Sequence, residues 1–309
     1  MHEALHHDGA FWVAEINRLR RARRAVIIAH NYQPGEIQDL ADFTGDSLEL
    51  SRKAAALDAP VIVFCGVHFM AETAAILAPD KTVLLPDTHA GCPMANMVTA
   101  RELRQLKAKH PDAAVVCYVN SSAEVKAESD LCCTSANAVQ VLESIPRERE
   151  IIFVPDQSLG DYAARKTGRK VILWPGYCPT HHRILADGVR QARAAHPAAV
   201  VVTHPECTRD VLELSDFVAS TTGILDLCRT NPAREFIVGT EMGLIHRLRK
   251  ENPGKTFHLV TPLSDCPNMK LNTLEKMVWS LEDMAYEVRV EEGMAARARR
   301  CIERMLEIA

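Results

Sequence analysis

No two of the ten cysteines in this 309-residue chain are spaced as CxxC. That removes the usual signature of a zinc finger, a zinc ribbon or a ferredoxin-like site. No stretch approaches the ~18 consecutive apolar residues of a membrane-spanning helix. The opening segment Met1-His2-Glu3-Ala4-Leu5-His6-His7-Asp8 lacks the apolar run of a signal peptide, so the chain is expected to be cytoplasmic. In that compartment the cysteines are not expected to pair as disulfides. There is no basic stripe or polybasic tail, and the formal net charge is −4, which argues against nucleic acid as the main partner. The one basic run, Arg18 to Arg24, ends an amphipathic stretch and reads as a solvated helix face. No Gly/Ser-rich linker divides the chain. What is present, 47% apolar and 25% charged residues, is the composition of a soluble globular protein with an ample core.

The chain is organised around a repeated unit. Leu173-Trp174-Pro175-Gly176-Tyr177-Cys178-Pro179 reads as an apolar strand, a short loop, then Cys-Pro. The same arrangement ends in Gly91-Cys92-Pro93 and in Asp265-Cys266-Pro267, and the cysteines lie 86 and 88 residues apart. Apolar runs at 25–29, 61–64, 83–85, 114–119, 151–154, 171–174, 199–203, 236–238 and 257–260 predict strands. Helical patterns at 10–24, 45–56, 70–77, 135–142, 160–166, 224–229 and 243–250 fall before or between them. Fully apolar strands alternating with helices predict α/β architecture with short parallel sheets covered on both faces. The expected organisation is an N-terminal helix over 1–21, α/β units over 22–110 and 111–197, and a third unit over 198–309 that includes the C-terminal helices. A pseudo-threefold axis would relate the units around a central site.

Equivalent points of the repeat carry equivalent chemistry. Each first strand ends in a polar pair spaced i, i+2: His30 and Tyr32, Tyr118 and Asn120, His204 and Glu206. On a strand that spacing places both side chains on one face. Each pair is followed by a hydroxyl-bearing helix start, at Ser47, at Ser135 and at Thr221-Thr222. Such starts cap helices and also bind anions. In parallel α/β sheets ligands gather beyond the carboxyl ends of the strands, and all these residues lie there. Three thiolates with one open position suit a four-iron, four-sulfur cluster, and equally zinc with three cysteines and water. Among the other cysteines, Cys65, Cys117, Cys207, Cys228 and Cys301 read as core, while Cys132-Cys133 could line the pocket. His2, His6 and His7 read as tail residues and His110 and His196 as turn residues. His30, His181 and His204 stand beside other polar groups at strand ends, and His89 and His182 carry no assignment. Asp156 and Glu241 could satisfy backbone N–H groups where loops begin.

These residues carry a resemblance. The set His30-Asn31-Tyr32-Gln33, Gly45-Asp46-Ser47-Leu48, Phe69-Met70-Ala71-Glu72-Thr73, Cys92-Pro93-Met94-Ala95, Tyr118-Val119-Asn120-Ser121, Pro155-Asp156, His204-Pro205-Glu206-Cys207 and Cys266-Pro267-Asn268-Met269 resembles the quinolinate synthase family of bacterial NAD biosynthesis, from about residue 22 to 285. The resemblance implies three α/β/α domains around a pseudo-threefold axis and one [4Fe-4S] cluster per chain held by Cys92, Cys178 and Cys266. It implies that iminoaspartate and dihydroxyacetone phosphate condense to quinolinate, phosphate and two waters, with the cluster's open iron as Lewis acid in dehydration. Carried over by motif, Tyr32, His204 and Glu206 are the expected catalytic residues. His30, Ser47, Tyr118, Asn120, Ser135, His181 and Thr221 are the expected substrate contacts. One domain is expected to hinge over the site, bringing Tyr32 in. An L-aspartate oxidase or dehydrogenase is the expected source of the imine. Some family members carry a CxxCxxC run near the last ligand. Cys266 stands alone, so no redox-switch disulfide is expected there.

Rival readings keep the same residues. A zinc-dependent lyase or aldolase would hold zinc and no acid-labile sulfide. A non-catalytic iron–sulfur redox sensor would leave the polar set at every strand end unexplained. A structural scaffold would survive loss of Cys92 unchanged.

Overall fold

The structure is a computed structural model, and it describes residues 9–308. The tail histidines at 2, 6 and 7 lie outside the described residues. After α1 (Gly9–Arg23) the first unit runs β1 (Ala25–His30), α2 (Gly35–Leu40), β2 (Phe43–Gly45), α3 (Ser47–Ala56), β3 (Val61–Cys65), α4 (His68–Leu77) and β4 (Thr82–Leu84). The second follows α5 (Ala100–Lys109) with β5 (Ala114–Tyr118), α6 (Ala123–Ala127), β6 (Leu131–Cys133), α7 (Ala138–Glu143), β7 (Ile151–Val154), α8 (Gln157–Thr167) and β8 (Val171–Leu173). The third follows α9 (Ala186–Ala195) with β9 (Val200–Thr203), α10 (Arg209–Glu213), β10 (Phe217–Val218), α11 (Thr221–Thr230), β11 (Glu235–Gly239), α12 (Leu244–Glu251) and β12 (Thr256–Leu259). Helices α13 (Leu274–Asp283) and α14 (Glu292–Ile308) complete the described chain.

The three units are built alike. Their sheets have the orders β2-β1-β3-β4, β6-β5-β7-β8 and β10-β9-β11-β12, and every pairing within them is parallel. Helices cover both faces, so the inner strands are built on apolar runs, and all of β3, β5 and β7 is buried. Each sheet has a fourth strand that the sequence reading did not anticipate. β2, β6 and β10 are two or three residues long, too short for a periodic signal, and β2 takes Gly45 from a segment expected to be helical.

Helix starts are fixed by side chains. Asp46 caps α3 in a capping box with Glu49, Asp156 caps α8 and Ser220 caps α11. The helix after the third cysteine loop, α13, does not cover the third sheet. Its Met277 and Leu281 pack with Ile16 and Leu19 of α1 on Ile27 and Val63 of the first sheet, returning the chain to its start. Helix α14 likewise leaves the third unit, lying against α4, α6 and β6 and burying Ala298, Cys301, Ile302 and Met305.

Candidate active site

Three equivalent loops carry the three cysteines. Each runs from the last strand of its unit (β4, β8 or β12) into Cys-Pro and then a short 3-10 turn, at Met94–Asn96, His181–Arg183 and Pro267–Lys270. Proline has no N–H to leave orphaned at such a start. N–H groups that follow point back at sulfur: those of Met94 and Ala95 at Cys92, that of His181 at Cys178, and those of Asn268 and Met269 at Cys266. Two further devices hold the loops. Gly176 lies so close to the Pro155 carbonyl that a Cβ there would collide with it. The Cys266 N–H donates to Glu241 Oε1 at 3.0 Å, and Lys270 pairs with the same carboxylate at 2.9 Å.

All three sulfurs line one cavity at the carboxyl ends of the three sheets. No other cysteine lines it: Cys132 and Cys133 are fully buried in β6, within the core. The other ten expected residues line the same cavity: His30, Tyr32, Ser47, Tyr118, Asn120, Ser135, His181, His204, Glu206 and Thr221. They come from all three units.

One hydrogen-bonded chain joins them. Tyr118 donates to Glu206 Oε1 at 2.6 Å, and the His181 Nδ1 lies 2.7 Å from Glu206 Oε2. On its other side His181 Nε2 lies 3.0 Å from Thr240 Oγ1, which is 2.6 Å from the Tyr32 hydroxyl. The Thr240 hydroxyl thus bridges His181 Nε2 and the Tyr32 hydroxyl, and His181 links that bridge to Glu206. The i, i+2 pairs serve a shared local purpose. The Tyr32 N–H donates to His30 Nδ1 at 3.1 Å, and the Glu206 N–H to His204 Nδ1 at 3.4 Å. Each neutral ring therefore carries its proton on Nε2, and His204 Nε2–H donates to Ser135 Oγ at 3.1 Å. His204 and His181 stack with centroids 4.7 Å apart.

The electrostatics follow from enclosure. Burial drives His30 and His204 each down to about 3, against the opposing charge of Glu206, so both rings are neutral. Burial also raises the Tyr32 and Tyr118 phenols, and Glu206 adds to both shifts. For Glu206 burial alone would raise the carboxyl. The adjoining His181 ring, then His204 and the Tyr118 hydroxyl, outweigh it and hold Glu206 below the usual carboxylate range. Asp156, fully buried, is raised instead, by burial and then by the charge of Glu206. Burial pushes the Cys92 thiol up to about 12 and raises Cys178 and Cys266 as well. Three protonated thiols around one cavity, each met by backbone N–H groups, are a donor set that a bound cationic centre would convert to thiolates.

Some expectations hold and others need correction in detail. Tyr32, Asn120 and Glu206 sit in the turns past β1, β5 and β9 rather than on the strands themselves. Ser135 lies before α7 rather than at its first turn, while Ser47 and Thr221 open α3 and α11 as expected. Asp156 and Glu241 accept backbone N–H groups, from Leu159 and from Gly243 and Cys266. Cys207 packs with Val211 and Leu212. His89 is exposed beside Asp87, and His182 stacks on Tyr177. Tyr32 is 8% exposed and already engaged with Thr240. Sequence reasoning missed Thr240 and Asn31, whose Nδ2 donates to Thr221 Oγ1 at 3.0 Å. Asn31 lies within a quoted motif, which was the available signal, whereas Thr240 lies in none.

Comparison with known proteins agrees with this architecture. The family model described as Quinolinate synthetase A protein matches residues 14–307. The quinolinate synthase of Geotalea uraniireducens (strain Rf4) is 56% identical over 294 residues, covering 95% of this chain and 96% of that protein. The quinolinate synthase of Methanoregula boonei (strain DSM 21154 / JCM 14090 / 6A8) is 56% identical over 299 residues, covering 97% of this chain and 99% of the other. With a family match over nearly its whole length and relatives at this identity, the chain belongs to the quinolinate synthetase A protein family.

Proposed function

We propose that this chain is a quinolinate synthase that condenses iminoaspartate with dihydroxyacetone phosphate to quinolinate, phosphate and two waters. The observation that carries the reading is the convergence of one cysteine loop and one polar pair from each of three units on a single cavity. Cys92, Cys178 and Cys266 would hold a [4Fe-4S] cluster, and the absence of a fourth cysteine from the cavity favours one open position. When bound, such a cluster supplies a Lewis acid for a substrate oxygen. The overall equation balances in atoms and electrons, so no oxidant or reductant is required.

The chain's own residues divide the remaining work. Glu206, held ionised, is the proposed base, working with His204, whose Nε2–H rests on the Ser135 hydroxyl. Tyr32, kept protonated by burial, is the proposed proton donor, and Thr240 fixes its hydroxyl. The N-termini of α3 and α11, with Ser47 and Thr221, suit the substrates' carboxylates and phosphate, as does the Ser135 hydroxyl. His30, Tyr118 and Asn120 contact substrate in this reading. Asn120 Oδ1 is buried without a partner, which suits a substrate donor. Iminoaspartate is labile in water, so an enzyme that oxidises L-aspartate must supply it. Among the described residues no helix is long and apolar enough to cross a membrane.

The decisive experiment measures iron and acid-labile sulfide on anaerobically purified protein and then assays quinolinate formation. About four of each per chain, lost together with activity in Cys92→Ala, Cys178→Ala or Cys266→Ala, is the expected result. Zinc is the second reading, because ligand atoms of Cys178, His181 and Glu206 lie within 4.8 Å of one another. Stoichiometric zinc without sulfide would establish it in place of the first.

A further inference from the structure

The third unit carries a second histidine–glutamate cluster, at a distance from the cavity. His196 ends α9, Glu235 opens β11, and His258 lies in the edge strand β12. Strand β11 runs from Glu235 toward Thr240 and the cavity, so Glu235 marks the opposite end of the sheet. His258 pairs in register with Ile237, and Ile237 packs with Val189 of α9. Glu235 and His258 therefore share the face that α9 covers. The ligand atoms of all three residues lie within 4.8 Å of one another. The two rings stack with centroids 3.5 Å apart at 16°.

The second unit serves as an internal control. Its Cys117↔Val154 and Ile152↔Ile172 pairings match Thr203↔Gly239 and Ile237↔His258 of the third. By this alignment His110, Glu150 and Ile172 occupy the places of His196, Glu235 and His258. There the histidine and glutamate form a direct pair at 3.2 Å. In the third unit an imidazole replaces the isoleucine and the pair is gone. Among the described residues, the ring nitrogens of His196 and His258 and the Glu235 carboxylate have no hydrogen-bond or ion-pair partner, and His258 Nε2 is buried without one. Stacking of two rings does nothing for that nitrogen.

We propose that His196, Glu235 and His258 form a binding site for a divalent transition-metal ion of the zinc type, fastening the end of α9 to β11 and β12. Two imidazoles and one carboxylate are a zinc donor set that leaves a fourth position for water. Donors around tetrahedral zinc stand about 3.3 Å apart, so the three side chains must close in by rotating. Arg249 faces His258 and opposes the cation, while Glu235 offsets it.

The test is equilibrium dialysis of the anaerobically purified holoprotein against zinc up to about 100 μM, with metal analysis and thermal melts. The expected result is one zinc per chain, with a melting temperature that rises with zinc. His196→Gln and His258→Gln each weaken binding by roughly 100-fold and abolish the rise, while Cys92→Ser retains the bound zinc. His258→Ile, the residue found at this place in the second unit, gives the same loss. Unchanged iron and sulfide in the histidine variants shows that they fold. No zinc uptake, or uptake indifferent to both histidines, overturns the proposal, and loss of the zinc in Cys92→Ser would place it in the cavity instead.

Discussion

The second and third units share a backbone and differ in chemistry at both ends of their sheets. At the carboxyl end Tyr118 and Asn120 stand where the third unit has His204 and Glu206, and the two sets are complementary: Tyr118 donates to Glu206 across the cavity. Beside them Pro155 stands where the third unit has Thr240, by the same strand pairings. At the amino end a closed His110–Glu150 pair faces an unpaired His196, Glu235 and His258. The repeat thus preserves where side chains point and leaves open what they are. One unit supplies the acceptor and another the donor, and the site exists only where the units meet.

The largest effect should come from the third unit's carboxylate. Glu206→Gln keeps the shape and removes the proposed base, so turnover should fall about 10²- to 10⁴-fold with iron and sulfide unchanged. Quinolinate formation near the unaltered rate would place the base elsewhere. Thr240 comes next. Thr240→Val preserves volume but breaks the link between Tyr32 and His181, and a lost buried hydrogen bond of about 1–3 kcal/mol corresponds to roughly 5- to 150-fold. If Thr240 positions the two rings, kcat falls more than KM changes, and Thr240→Ser restores most of it. Equal loss in the serine variant would assign the effect to packing. In the second unit Tyr118→Phe removes one of the donors to Glu206 and leaves the carboxylate in place, so about a tenfold loss of kcat/KM is expected.

These predictions rest on parts of the molecule that were unequally legible in the sequence. The inner strands could be read because burial on both faces makes them apolar runs, as in Ile151 to Val154. The cavity residues could be read because the repeat sets each beside its counterparts, His30 beside Tyr118 and His204. Thr240 could not, since its counterparts Gly66 and Pro155 carry no hydroxyl and no pattern emerges. Cys132 and Cys133 read as pocket candidates because they adjoin the hydroxyls at Thr134-Ser135, and β6, only three residues long, left no signal of a buried strand. The paths of α13 and α14 were hidden too. Their apolar faces say that each packs on something, and only the fold says that the first and second units receive them.

The smallest effect lies at the amino end of the second unit. His110 and Glu150 pair on the surface, their side chains 31% and 64% exposed. An exposed ion pair is worth about 0.2–1 kcal/mol and is screened by salt. His110→Ala should therefore lower stability in urea by about 0.5 kcal/mol or less, and where the imidazole is protonated the difference should vanish in high salt. A clear loss that persists in salt would show that His110 holds the end of α5 by packing. The second unit would then be a poor reference for what His196 does at the matching place in the third.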